Sequence, residues 1–293
     1  MQHVSPARAG GHRHRGGPRD ALLLGGLPRP RPRPPGRIVS ERDIKADIVE
    51  VGRRLYGRGL IGGNEGNISV RDGSVVYVTP AAVCKGFLVP ECIVKTDLEG
   101  RPLDGQRAST EVQMHTAVYR RRSDVGAIVH AHPPTATGFA VAGIPLDQPL
   151  TAEAVVTLGV VPIIPYGTPS TPELADNVGR AICEAQTLLL ANHGALSVGV
   201  DLYQAWERME TLEQVARVAL TARLLGHEGH LPAADVERLT ALRARSGYPP
   251  PVCEPEPRPA SAPRPASVPS ASFTLSREEL VRLVADAVER FRT

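Results

Sequence analysis

From Ser40 onward, amphipathic stretches alternate with short apolar runs. Ser40 and Asp43 have the spacing of a capping box, and Ile44, Ile48, Val51 and Leu55 follow at helical period, which predicts a helix. The runs Val75–Val78, Ala127–Ala131, Val161–Ile164 and Leu188–Ala191 are short and apolar and read as strands. Glu111–Arg120, Pro172–Glu184 and Tyr203–Leu225 read as helices, the last stopped by Gly226. Strands and helices alternating over residues 40–245 predict a layered α/β domain, and no internal repeat is present.

Both ends break the pattern. Of 28 prolines, seven lie in residues 1–37 and nine in 249–270. Residues 1–37 carry eight Arg against one Asp, a net of +7, while the whole chain is +3, so everything after residue 37 sums to −4. The basicity therefore belongs to a tail. Proline, glycine and like charges leave that tail too little apolar surface to offset chain entropy, and it is expected to be disordered. Aromatics at 4 % are too sparse for a base-stacking surface, so no nucleic-acid partner is expected. No apolar run approaches the roughly 18 residues of a membrane span, so no membrane is expected either. Cys84, Cys92, Cys183 and Cys253 are widely spaced and form no CxxC pair. That argues against a disulfide scaffold and for a reducing cytoplasm.

The expected divisions are a tail over 1–37, a catalytic domain over 38–248, a Pro/Ala-rich linker over 249–272 and an amphipathic helix over 273–293. In the last segment Ser276 and Glu279 form a capping box, with Leu275 and Leu280 placed as a hydrophobic staple. Leu280, Leu283, Val284, Ala287, Val288 and Phe291 line one face. Such a helix needs a partner for its stripe, either the body of the protein or another molecule.

Chemistry concentrates in the histidines. His130 and His132 stand in VGAIVHAHPP, and residues two apart on a strand share a face, so both imidazoles can converge. His193 closes a second apolar run in LLLANHGAL, with Gly194 permitting a sharp turn. Three such ligands with a fourth position open match catalytic zinc, although an HxH pair or an NHG alone is an ordinary strand end. Glu111, in STEVQMHTAVYRR, reads either as an N-terminal cap or as a carboxylate base near the metal. His115, one turn on, shares its helix face and is read as structural. The segment GLIGGNEGNISVR, with four glycines in thirteen residues, can present N–H groups to an anion but fits no nucleotide fingerprint.

Together, GGNEGNISVR, VYVTPAAVCKG, the STE-to-HAH stretch, IPYGTPSTPELA and LLLANHGAL resemble the class II aldolase/adducin family over about residues 40–245. The resemblance implies a three-layer α/β/α sandwich with a mostly antiparallel central sheet and a homotetramer. It also implies one Zn²⁺ per chain on His130, His132 and His193, with Glu111 as fourth ligand and acid/base. The implied reaction is cleavage of a ketose 1-phosphate, such as L-fuculose 1-phosphate, to dihydroxyacetone phosphate and an aldehyde through an enediolate. Gly66, Asn67, Ser109 and Thr110 match the family's phosphate site. Glu65 replaces a threonine of that site and Ala81-Ala82 replace a Ser/Thr-Gly, while Lys85 nearby restores positive charge. The tyrosine that protonates the aldehyde has no counterpart. Decarboxylation, epimerisation or dehydration at the same metal is the alternative, and a non-catalytic adducin-like scaffold a further one. The C-terminal helix on its Pro/Ala spacer resembles the encapsulation peptides that dock enzymes to bacterial microcompartment shells.

Overall fold

The structure, a computed structural model, describes residues 40–254. The expected basic tail, most of the linker and the helix at 276–292 lie outside the described residues.

Helix α1 (Glu41–Gly57) opens as its sequence predicts: Ser40 Oγ accepts from Asp43 N at 3.2 Å and the Asp43 carboxylate accepts from the Ser40 hydroxyl at 2.9 Å. Its stripe of Ile44, Ile48, Val51 and Leu55 is at most 4 % exposed. Each such burial contributes about 1.5–3 kcal/mol. Strands β1 (Asn67–Asp72) and β2 (Val75–Val78) form a hairpin, and β3 (Val94–Thr96) pairs with β2 at the sheet edge. After α2 (Val112–Arg121) comes the central strand β4 (Ala127–Ala131), which is buried throughout. Then follow α3 (Pro134–Ala142), β5 (Ile163–Ile164), α4 (Pro172–Ala181), β6 (Thr187–Leu190), β7 (Gly194–Gly199), α5 (Leu202–Leu224) and α6 (Ala233–Arg245).

The seven strands lie in the order β3-β2-β1-β4-β7-β6-β5, and every neighbouring pair is antiparallel except β5 with β6. Alternate residues of β4 feed two separate cores. Ala127, Val129 and Ala131 pack with α1, α3 and α5, whereas Ile128 packs with Val118 of α2 and Val178 of α4. This is the expected three-layer sandwich.

Four expectations need correction. The run Val161–Ile164 pairs as a strand only at Ile163–Ile164, because Pro162 has no N–H to give; Val161 makes an isolated bridge to Leu146. Helix α4 stops at Ala181, a turn short of the predicted Glu184. Cys183 and Cys253 are joined by a disulfide across 70 residues. Residues 249–254, expected to begin a free linker, lie along the body: Gln186 donates to the Pro249 carbonyl, Glu254 N to the Arg121 carbonyl and Ser123 Oγ to Glu254. Those contacts carry Cys253 to Cys183, and spacing along the chain held no sign of it. Among the described residues, no helix is long and apolar enough to cross a membrane.

Candidate metal centre and active site

The site lies where β4 ends. His130 is on the strand and His132 just past it, while His193 sits in the turn between β6 and β7. The three ring centroids are 4.8–5.0 Å apart, and their ligand nitrogens lie within 4.8 Å of one another. Two glycines allow this crowding. A Cβ on Gly194 would stand 2.6 Å from His132 Cδ2 and 2.7 Å from the Ala131 carbonyl. Gly66, at φ +70°, lies so close to β4 that a Cβ would meet the His130 carbonyl at 2.8 Å.

His130 Nδ1 donates to the Ala195 carbonyl at 2.9 Å, which fixes the tautomer and leaves the Nε2 lone pair facing inward. His132 Nε2 stands 3.2 Å from that atom. Burial, reinforced by the neighbouring imidazoles, lowers the pKa of His132 to about 3 and of His193 to about 4. Both are therefore neutral at neutral pH, as metal ligands must be.

Glu111 occupies the position before α2 but makes no side-chain cap bond, contrary to its bland reading. Its carboxylate instead turns to the histidines, with Oε2 3.3 Å from His130 Nε2 and Oε1 3.3 Å from His193 Nε2. Burial pushes its pKa up, but positive charge on His130, then on His193 where these rings are protonated, and the Asn67 amide outweigh that and hold it below the usual carboxylate range. Oε1 is buried and accepts no hydrogen bond within the protein. An inward lone pair and an orphaned carboxylate oxygen around one point fit a divalent cation, and the donor set of three imidazoles and a carboxylate suits zinc.

A cavity of ≈ 290 Å³ opens on this cluster, large enough for a small phosphorylated sugar. Every predicted site residue outside β4 borders it: Gly66, Asn67, Lys85, Ser109, Thr110, Glu111, His132 and His193, together with Glu65, Ala81 and Ala82. Lys85 is 3 % exposed, its Nζ donates to the Asn64 carbonyl at 2.5 Å, and burial lowers its pKa. Glu65 accepts from Gly62 N at 2.5 Å and so closes its own glycine loop. Asn67, expected at the phosphate site, borders the cavity and spends its side-chain amide on Glu111 and His115. Pro169 and Ser170 also line the cavity and had not been singled out in the sequence. Ser170 sits at φ +67°, a strained backbone of the kind found at binding sites.

Three imidazoles and a carboxylate at the end of a sheet fit a metal-dependent active site, and the relatives of this chain place it in a class of lyases, the class II aldolases. The chain belongs to the Class II Aldolase and Adducin N-terminal domain family, which it matches over residues 46–220. It is 34 % identical over 175 residues to the L-fuculose phosphate aldolase of Methanococcus maripaludis, covering 59 % of this chain and 93 % of that one. It is 31 % identical over 210 residues to the 3-oxo-tetronate 4-phosphate decarboxylase of Pectobacterium atrosepticum, covering 69 % and 95 %. The crystal structure of L-fuculose-1-phosphate aldolase from Thermus thermophilus superposes with a TM-score of 0.58 at 35 % identity, over 64 % of this chain and 98 % of that one.

Proposed function

We propose that this chain is a zinc-dependent aldolase that cleaves a ketose 1-phosphate related to L-fuculose 1-phosphate into dihydroxyacetone phosphate and an aldehyde such as lactaldehyde. The observation that carries the reading is the orphaned Glu111 Oε1 beside three converging imidazoles. Held by His130, His132 and His193, a divalent cation supplies Lewis acidity for the charge left on substrate oxygens when a bond beta to a carbonyl breaks. Glu111, which borders the cavity, carries the proton at Oε1, the oxygen without a hydrogen-bond partner. Gly66, Ser109, Thr110 and Lys85 bind the phosphate. Lys85 is the cation bordering the cavity, and leaving its carbonyl partner for a phosphate restores the solvation that burial removed.

A second reading, decarboxylation of a phosphorylated 3-oxo acid, has one observation in its favour. Among the described residues lining the cavity there is no tyrosine. Cleavage to an aldehyde needs a group to take the proton from the hydroxyl beta to the carbonyl, whereas a carboxylate releases carbon dioxide with no such proton to remove. A panel of ketose 1-phosphates and phosphorylated oxo acids, assayed for triose phosphate, aldehyde and carbon dioxide, separates the two. Aldehyde with triose phosphate supports the aldolase; carbon dioxide without aldehyde overturns it in favour of the decarboxylase. In either case Glu111→Gln is expected to keep fold and metal and to lose at least about 100-fold in kcat, since an amide cannot take up the proton.

The proposal extends to a homotetramer and to docking on a microcompartment shell through residues 276–292; the disulfide between Cys183 and Cys253 removes the cysteine argument for a reducing cytoplasm. Fusing residues 271–293 to a fluorescent protein, in cells expressing the matching shell, tests the second point. Punctate fluorescence supports docking and diffuse fluorescence rejects it.

A further inference from the structure

Behind Glu111 runs a buried line of polar side chains that the proposed chemistry does not itself use. Asn67 and Ser69 are two apart on β1 and share the face turned to α2, where His115 and Tyr119 are one turn apart. Asn67 Nδ2 lies 2.8 Å from Glu111 Oε2, and Asn67 Oδ1 lies 2.5 Å from His115 Nε2. His115 Nδ1 is 2.6 Å from Ser69 Oγ, which is 2.8 Å from the Tyr119 hydroxyl. Asn67, Ser69, His115 and Tyr119 are all at most 2 % exposed.

Donor and acceptor chemistry allows one direction through this line. An ionised carboxylate only accepts, so Asn67 must turn its NH₂ to Glu111 and its carbonyl oxygen to His115. An amide oxygen also only accepts, so His115 must carry its proton on Nε2. Complete burial lowers the His115 pKa to about 3, so the ring is neutral and Nδ1 holds a lone pair. Ser69 then donates to Nδ1 and accepts from Tyr119. Each bond polarises the next toward Glu111. The two carboxylate oxygens consequently differ: Oε2 is pinned, and Oε1 has no hydrogen-bond partner.

We propose that His115 is a positioning residue, which holds the Asn67 amide in the one orientation that fixes Glu111 Oε2 and leaves Oε1 aimed at the reacting carbon. This rests on the reading of Glu111 as the proton carrier. It replaces the sequence-based view of His115 as merely structural.

The test uses the full chain loaded with zinc and whichever phosphate ester the wild type turns over. His115→Leu is expected to lower kcat about 10- to 100-fold, with KM within twofold and zinc content unchanged. His115→Gln, whose amide can still donate to Asn67, is expected to recover most of the loss. Wild-type kcat in a folded His115→Leu overturns the proposal, and so does an equal loss in both variants, which marks a purely structural role. Should H115L fail to fold, Ser69→Ala leaves the imidazole in place without its Nδ1 partner: reduced kcat at constant KM supports the proposal, and wild-type kcat overturns it. Independently of turnover, ¹⁵N–¹H correlation of the histidine side chains is expected to find His115 as the neutral Nε2–H tautomer at neutral pH. An Nδ1–H tautomer or an imidazolium overturns the chain's direction. If the wild type turns over nothing in the panel, the lyase reading fails, while the tautomer measurement still decides the chain.

Discussion

Gly194→Ala puts the geometry of the metal site under direct strain. Gly194 is not among the positive-φ residues, so its backbone accepts an alanine and the whole effect is steric. The new methyl would stand 2.6 Å from His132 Cδ2 and 2.7 Å from the Ala131 carbonyl, against an ordinary contact of at least 3.4 Å. The Ala131 carbonyl belongs to the central strand and cannot retreat, so the His132 ring must shift by most of an ångström. Overpacking of this kind costs about 1–3 kcal/mol. At about 2–4 °C per kcal/mol for a domain of this size, the metal-free Tm is expected to fall by about 2–12 °C. Displacing one imidazole of three is also expected to weaken zinc binding about 10- to 100-fold, comparable to losing a supporting contact of a ligand. Gly138→Ala is the control: it lies on the exposed side of α3 with nothing within 4 Å of the added methyl. It is expected to gain about 0.5–1 kcal/mol from reduced chain entropy. Competitive zinc titration with a chromophoric chelator and thermal melts of both variants provide the comparison. Unchanged zinc affinity and Tm in Gly194→Ala would refute the claim that this glycine makes room for His132.

Acid should destabilise the metal-free protein. His115, His132 and His193 have folded-state pKa values of about 3, 3 and 4 against 6.5 unfolded, so their stabilisation is complete above pH 6.5 and is lost progressively as pH falls toward 4. Melts between pH 7.5 and 5 check this, and a flat or rising Tm on acidification contradicts it. The disulfide predicts two titratable thiols in the unreduced, denatured chain, Cys84 and Cys92, and four after reduction. Cys183→Ser is expected to lower stability by about 2–4 kcal/mol in the oxidised protein and to change nothing under reducing conditions.

The parts legible in the sequence were those with local signals. The capping box at Ser40 and the period of Ile44, Ile48, Val51 and Leu55 define α1, because each residue there is fixed by neighbours three or four positions away. His130 and His132 were visible as a pair because a strand's period of two puts them on one face. Helix α3 was not, since PTATGFAVA is apolar all round and carries no period. The disulfide was invisible because Cys183 and Cys253 meet through the docking of residues 249–254. The bond from Asn67 to Glu111 was hidden for the same reason. A β1 residue facing His130 in register, with α2 above it, is a fact of the sheet, and nothing in GNEGNISVR announces it. Ser170 reaches the cavity from the connection between β5 and α4, a placement the pattern TPS does not encode.

The central claim is that His130, His132 and His193 hold one divalent metal. Elemental analysis of the purified chain beside a His130→Ala/His132→Ala variant tests it most directly, after both are stripped and dialysed against equal zinc. The account predicts close to one zinc per wild-type chain and essentially none in the variant, with both proteins folded. Equal metal content in the two, whether negligible or substantial, would contradict it.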